Sequence, residues 1–218
     1  MGTAFKAPSL AQLFQDTPTF GFFANPNLKP ETSVGYDAGF EKSLADIVGT
    51  DISGGATFFH NDIKNLIKAN ASFTTDINIG KAMTEGVETF LAWKVNDTLS
   101  LRADYTYTDA QDEIAHLQLL RIPRNKVSVT GDWQALPSLG LHATLLYVGP
   151  QIDGNRDFSI PRLKLDGYAL LNLAADWRVD DNFTLFGRVD NAFDTDYQSP
   201  DGFLRPGIGA FAGIKASL

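Results

Sequence analysis

The stretch WKVNDTLSLRADYTYT, residues 93–108, decides the fold. After the turn-like VNDT, Leu99, Leu101, Ala103, Tyr105 and Tyr107 fall on one face of an extended chain, and Thr98, Ser100, Arg102, Asp104, Thr106 and Thr108 on the other. Alternation with period two gives a strand with one apolar and one polar face. Trp93 sits just before the turn, where the strand would leave an apolar layer.

The same unit recurs on both sides of this stretch. Upstream, Val34, Tyr36, Ala38 and Phe40 oppose Ser33, Gly35, Asp37, Gly39 and Glu41, and a second strand over 52–63 carries Ile52, Ala56 and Phe58 on one face. A third runs over 78–95 with Val87, Leu91 and Trp93. Downstream, strands follow at 126–135, 139–147, 165–178 and 183–190, and a last at 206–218. That predicts nine antiparallel strands, nearest neighbours paired, with unpaired outer edges at 33–44 and 206–218. Short turns at 45–51, 95–98, 136–138 and 180–182 alternate with long connections. Residues 1–32 carry Pro8, Pro18, Pro26 and Pro30, do not alternate, and read as a long loop. Trp93, Trp133 and Trp177 each precede a short turn, so all three are expected at one edge of the sheet, pointing outward.

A soluble sandwich also alternates, but gives no reason for long and short loops to segregate by edge. A transmembrane barrel does: short periplasmic turns, long extracellular loops, an outward apolar band and aromatic girdles. Strands of 10 to 14 residues suit a tilted crossing. The polar face carries Arg102, Asp104, Lys126, Asp132, Asp166, Asp176 and Arg178, which a wide, wet lumen tolerates and a small closed interior does not. Parity puts residues 1–32 outside, and an odd strand count points to a piece of a larger barrel. In the 218 residues no apolar run reaches membrane-helix length, and the formal charge of −8 argues against a nucleic-acid partner. The absence of cysteine excludes disulfides, and MGTAFKAPSL is no signal peptide.

Catalytic and metal chemistry is not expected. His60, His116 and His142 are widely separated, no HExxH or GxSxG occurs, and Gly207, Gly209 and Gly213 have the wrong spacing for a nucleotide loop. No cofactor is expected. DGNRD (153–157) and DTD (194–196) have oxygen ligands that could coordinate calcium, although solvated loop acids are the commoner explanation. Ligand contacts are expected on the extracellular loops at Phe20, Phe22, Phe23, Arg156, Phe158, Tyr197, Phe203 and Arg205, whose aromatic and guanidinium groups suit a bulky, partly apolar ligand.

FKAPSLAQLF (5–14) followed by NPNLKPETS (25–33), then TEGVE (84–88), LLRIPRNK (119–126) and VDNAFDTDYQ (189–198), resemble, in order, the motifs of TonB-dependent outer-membrane receptors. The resemblance spans essentially the whole chain. It implies a single region, 1–218, forming the C-terminal part of a 22-stranded barrel in the outer membrane of a Gram-negative bacterium. Residues 33–218 would supply its last nine strands; the plug and TonB box would lie upstream, making Met1 a truncation point. The implied partners are outer-membrane lipid, the TonB complex and a bulky metal chelate. Spacing and short loops look closest to the vitamin B12 receptor branch, with cobalamin as ligand, and ferric-siderophore receptors come next. Leu218 departs from the aromatic residue that usually ends the family. The competing expectation is a passive porin or a surface-binding β-domain.

Overall fold

A computed structural model describes residues 1–43, 51–70, 72, 74–154 and 159–217. Its elements are β1 (Gly2–Lys6), α1 (Leu10–Phe14), a 3₁₀ turn (Pro18–Phe20), β2 (Glu31–Ser43), β3 (Asp51–Ala69), β4 (Asp76–Lys94), β5 (Leu99–Asp112), β6 (Leu117–Gln118), β7 (Asn125–Leu136), β8 (Leu139–Val148), β9 (Gln151–Asp153), β10 (Leu163–Leu165), β11 (Tyr168–Arg178), β12 (Phe183–Asp190) and β13 (Gly209–Ala216). One sheet runs in the order β1-β2-β3-β4-β5-β7-β8-β11-β12-β13, with β6 attached to β5; β9 and β10 form a separate two-stranded ribbon. The main sheet is an antiparallel meander throughout.

The cross-strand register puts the alternating apolar residues on one face. Leu101 lies opposite Trp93 and Gly131, Ala103 opposite Leu91 and Val129, and Leu173 opposite Ala143 and Val189. That face stays exposed: Leu91, Leu145, Leu173, Leu185 and Ile214 are all on the surface. Buried apolar residues among the described ones are only Leu28, Ala82, Ala110, Val148 and Leu170. A sandwich would bury one face of each sheet in a shared core; a single layer with an exposed apolar face is the wall of a barrel.

Trp93, Trp133 and Trp177 sit on this apolar face, 37%, 50% and 50% exposed. Trp93 pairs with Leu101 and Trp133 with Leu99, one side-chain step along β5; Trp133 pairs with Leu141 and Trp177 with Leu139, one step along β8. The indoles therefore slip two residues per hairpin against the ladder, the stagger that strand tilt imposes on a level belt.

The opposite face pairs aromatics with glycines. Phe59 lies across from Gly86, Phe90 across from Gly55 and Phe186 across from Gly213. A Cβ at Gly55 would come within 2.8 Å of the Phe90 ring, so the ring covers the space that a side chain would fill. The Arg102 guanidinium stacks 4.8 Å from the Phe90 centroid and the Arg188 guanidinium 4.5 Å from that of Phe211. Between β7, β8 and β11, His142 reaches Asp132 at 2.6 Å through Nδ1 and Asp176 at 2.8 Å through Nε2. Charges on this face thus meet partners within the wall.

The short turns follow their sequence chemistry. Asn96 Oδ1 accepts from the Thr98 and Leu99 amides, and Asp180 Oδ1 from those of Asn182 and Phe183. The turn expected at 45–51 lies largely outside the described residues, as does Leu218.

Three expectations require correction. Residues 1–32 are not simply a loop: Gly2–Lys6 pairs with β2, making a tenth strand along the meander, and α1 follows. Five residues ending near Pro8 are too few to display alternation. The edge at 33–44 is therefore covered over part of its length. Strands β3 and β4 also run farther than expected, to Ala69 and from Asp76, so the first part of the polar stretch, Leu66 to Ala69, is ladder and not loop. Asn65 at φ +57° is skipped in the pairing, which passes from Lys64↔Lys81 to Leu66↔Ile79; this irregularity hides the continuing strand. Finally, Leu165, expected to open the strand, belongs to the ribbon, and β11 begins at Tyr168.

Candidate functional site

The long connections gather at the end of the sheet opposite the tryptophans and form two assemblies. The first is the segment 7–30. α1 opens on a capping box in which Ser9 Oγ accepts from the Gln12 amide and Gln12 Oε1 from the Ser9 amide. The segment is then fastened to the tip of the β3–β4 hairpin. Gln12 Nε2 donates to Asp76, Asn25 Nδ2 to the Asp76 carbonyl, and the Phe23 amide to the Thr74 carbonyl. Asn78 accepts from the Lys29 amide and donates to the carbonyls of Lys29 and Asn65. Glu31, nearly buried, accepts from the Ile67 amide and from Lys6 Nζ. On this scaffold Phe22 is half-buried in a bridge to Thr17, Phe23 is exposed, and Phe20 projects at 86% exposure.

The second assembly joins three connections that are remote in sequence: 113–124, 149–167 and 191–208. Its centre is Asp153, whose side chain is fully buried. Asp153 Oδ1 accepts from Arg121 Nε at 2.7 Å and from the Gly154 amide at 2.8 Å, and Oδ2 from the Asp201 amide at 2.9 Å. Burial by itself would raise this carboxyl; the Arg121 guanidinium and the two amides outweigh it and hold the group below the ordinary carboxylate range. The Arg121 amide donates to the Ile152 carbonyl, and Arg162 Nη2 donates to the Gln118 carbonyl. Arg121 itself has φ +64°, a left-handed conformation that costs a non-glycine residue on the order of 1–3 kcal/mol.

Tyr197 stacks on Tyr168 with centroids 4.3 Å apart, beside a cleft of about 240 Å³ shared with Leu165, Asp166 and Leu204. Arg205 turns inward on its own loop, donating through Nε to the Ser199 carbonyl, while Phe203 is exposed. Asn191 closes the base of the loop by accepting from the Thr195 amide and donating to the Thr195 carbonyl. Arg156 and Phe158 lie outside the described residues, and with them most of the DGNRD stretch considered for calcium. Its first residue, Asp153, is committed to its three donors.

The candidate residues therefore divide. Phe20, Phe22 and Phe23 belong to the first assembly, and Tyr197, Phe203 and Arg205 to the second. Sequence reasoning missed Arg121, and considered Asp153 only within a calcium-suited stretch; together they organise the second. The motif LLRIPRNK contained Arg121, but its partner lies 32 residues away and no local pattern links them.

Comparison with known proteins agrees with this architecture. The ferric enterobactin receptor PfeA of Pseudomonas aeruginosa, solved as a mutant with enterobactin, superimposes with a TM-score of 0.76 at 26% identity, over 98% of this chain and 37% of that one. The siderophore receptor PirA of the same organism gives 0.70 at 26% identity, over 98% and 35%. The copper transporter OprC, at 18% identity, shares the fold with a TM-score of 0.79, over 99% and 35%. This chain thus spans little more than a third of the length of each of these three structures. These similarities do not single out the vitamin B12 branch expected from spacing. Residues 2–192 match the family model described as TonB dependent receptor-like, beta-barrel. The chain belongs to the TonB-dependent receptor β-barrel family.

Proposed function

We propose that this chain is the C-terminal wall and loop crown of an outer-membrane receptor that takes up a ferric siderophore with energy from the TonB complex. The observation that carries the reading is the family match over 2–192, joined to 26% identity with receptors whose ligands are siderophores. The exposed apolar face suits outer-membrane lipid, and the loop assemblies offer exposed aromatic faces at Phe20, Phe23 and Phe203 beside guanidinium groups. A chelate too large for passive pores has to be held outside before release, and such groups supply apolar contact and charge together. Transport, not catalysis, is the role.

The test is uptake by the complete receptor in iron-starved cells. Ferric enterobactin should enter only when TonB is present. Uptake that persists without TonB supports a passive porin. Uptake of cobalamin with no uptake of ferric chelates restores the B12 reading and removes the siderophore.

A further inference from the structure

Lys64 and Lys81 lie directly opposite each other across the β3–β4 ladder. Like charges in that position repel, so the sheet gains nothing from the pairing. Both side chains are exposed, and among the described residues neither ammonium forms an ion pair. Carboxylates do stand nearby, but they are turned elsewhere. Asp62 and Glu85 both face His60, and Glu113 is bonded to Lys81 through its amide. In a chain of net charge −8, an unneutralised pair of lysines is a local exception.

The pair is on the outer surface of the wall. Lys64 follows Phe58 at even steps along β3, before the irregularity at Asn65, and Lys81 shares its parity on β4 with Val87, Leu91 and Trp93. It therefore faces away from anything that travels through the lumen. Lys81 is twelve positions from Trp93, a climb of about 30 Å for a strand tilted by about 40°. The apolar band of an outer-membrane barrel is about 25 Å tall. With the tryptophans at the inner interface, the lysines stand at the outer headgroup level. Below them Tyr36, stacked on His60 with centroids 4.9 Å apart, and Tyr107 occupy the place of an outer aromatic belt. Lower still, Phe58 and Leu91 continue the exposed apolar wall.

We propose that Lys64 and Lys81 clamp a phosphate in the headgroup of an outer-leaflet lipid, whose acyl chains run down the wall over Phe58 and Leu91. A phosphate accepts charge-assisted bonds from both ammonium groups and cancels the repulsion between them. The ladder fixes the two backbones beforehand, so the clamp is assembled before the lipid arrives. The apolar wall beneath supplies the other half of the recognition, a contact that free phosphate lacks. The inference rests on the outer-membrane reading above and concerns the wall, not the chelate.

The test uses the complete receptor in detergent micelles. Binding is measured for a phosphorylated, acylated diglucosamine, for its dephosphorylated form, and for inorganic phosphate as a competitor. Lys64→Gln and Lys81→Gln together should lower affinity for the phosphorylated lipid by about 10- to 100-fold, the loss of charge-assisted contacts. Affinity for the dephosphorylated lipid should change by no more than about twofold. Lys64→Arg with Lys81→Arg should keep the phosphorylated lipid bound, since arginine also pairs with phosphate. Without lipid, the double glutamine variant should unfold in urea no earlier than wild type, because a repulsion has been removed. Equal affinity of wild type and the glutamine variant for the phosphorylated lipid overturns the inference. So does equal wild-type affinity for the two lipids, or earlier unfolding of the lipid-free variant. Displacement of the lipid by an equal concentration of inorganic phosphate overturns the lipid as the source of the phosphate. In all these cases the uptake reading stands. A complete receptor that leaves the cell envelope without detergent overturns the outer-membrane reading, and this inference with it.

Discussion

The two loop assemblies solve one problem by different means. Segment 7–30 is sewn to the β3–β4 hairpin by many separate bonds, most of them from backbone or amide groups such as Asn25 and Asn78. The 113–124, 149–167 and 191–208 connections meet at a single buried carboxylate. Distributed neutral bonds are individually worth about 0.5–1.5 kcal/mol and fail one at a time. A buried charge concentrates several donors at one point, so its loss is felt by every connection at once. The lesson is that the first assembly should loosen gradually and the second in one step.

The strongest way to break this contrast is Asp153→Ala. It leaves Arg121 and two amides without their acceptor, and with Arg121 partly in solvent the expected loss is about 2–3 kcal/mol, local to the loops. Hydrogen exchange should show protection vanishing together at Gly154 and Asp201 while the Phe23 amide keeps its protection. Exchange that rises at only one of the two would deny Asp153 its central place.

Asn78→Ala is the matching change in the first assembly. Three bonds to Lys29 and Asn65 are removed, yet the Gln12, Asn25 and Phe23 links remain. A loss of about 1–2 kcal/mol is expected. Limited proteolysis should find 26–30 more easily cut and 10–20 unchanged; release of the whole segment would erase the contrast.

Acid sharpens it further. Asp153 is held below its unfolded value of about 3.9, so its contribution is complete above that pH and disappears as pH falls through the lower folded value. At neutral and mildly acid pH the second assembly should be indifferent to pH. Exchange at Asp201, corrected for its intrinsic rate, should accelerate only below about pH 3.9. A transition near neutrality would mean that another group controls the junction.

The smallest effect on stability is expected at Phe20. At 86% exposure its ring supports little, and Phe20→Ala should shift unfolding by no more than about 0.5 kcal/mol. A ligand-contacting ring would nevertheless lower chelate affinity in the complete receptor. Stability and affinity both unchanged would remove Phe20 from the binding surface.

Much of the wall was legible because membrane strands write their geometry locally. Period-two alternation placed the strands that β2 to β5, β7, β8 and β11 to β13 now occupy, and the Asn96 and Asp180 turns joined them as their sequence chemistry requires. The tryptophans fell on the apolar face for the same reason. Errors came where the local signal was too short or broken, as at Gly2–Lys6 and around the skipped Asn65.

The amino-acid order by itself therefore determined strand order, which face of the sheet is apolar and which connections are tight. Each of these depends on residues a few positions apart, and the pleat repeats that pattern faithfully. Tertiary structure alone decided that Arg121 would meet Asp153 across 32 residues, that Asp201 would join them across 48, and that Asn78 would catch Lys29 across 49. Those meetings depend on where neighbouring hairpins deliver their loops in space. A carboxylate's sequence neighbours give no sign that it will be buried or which guanidinium will reach it, because both are fixed only when the sheet has assembled.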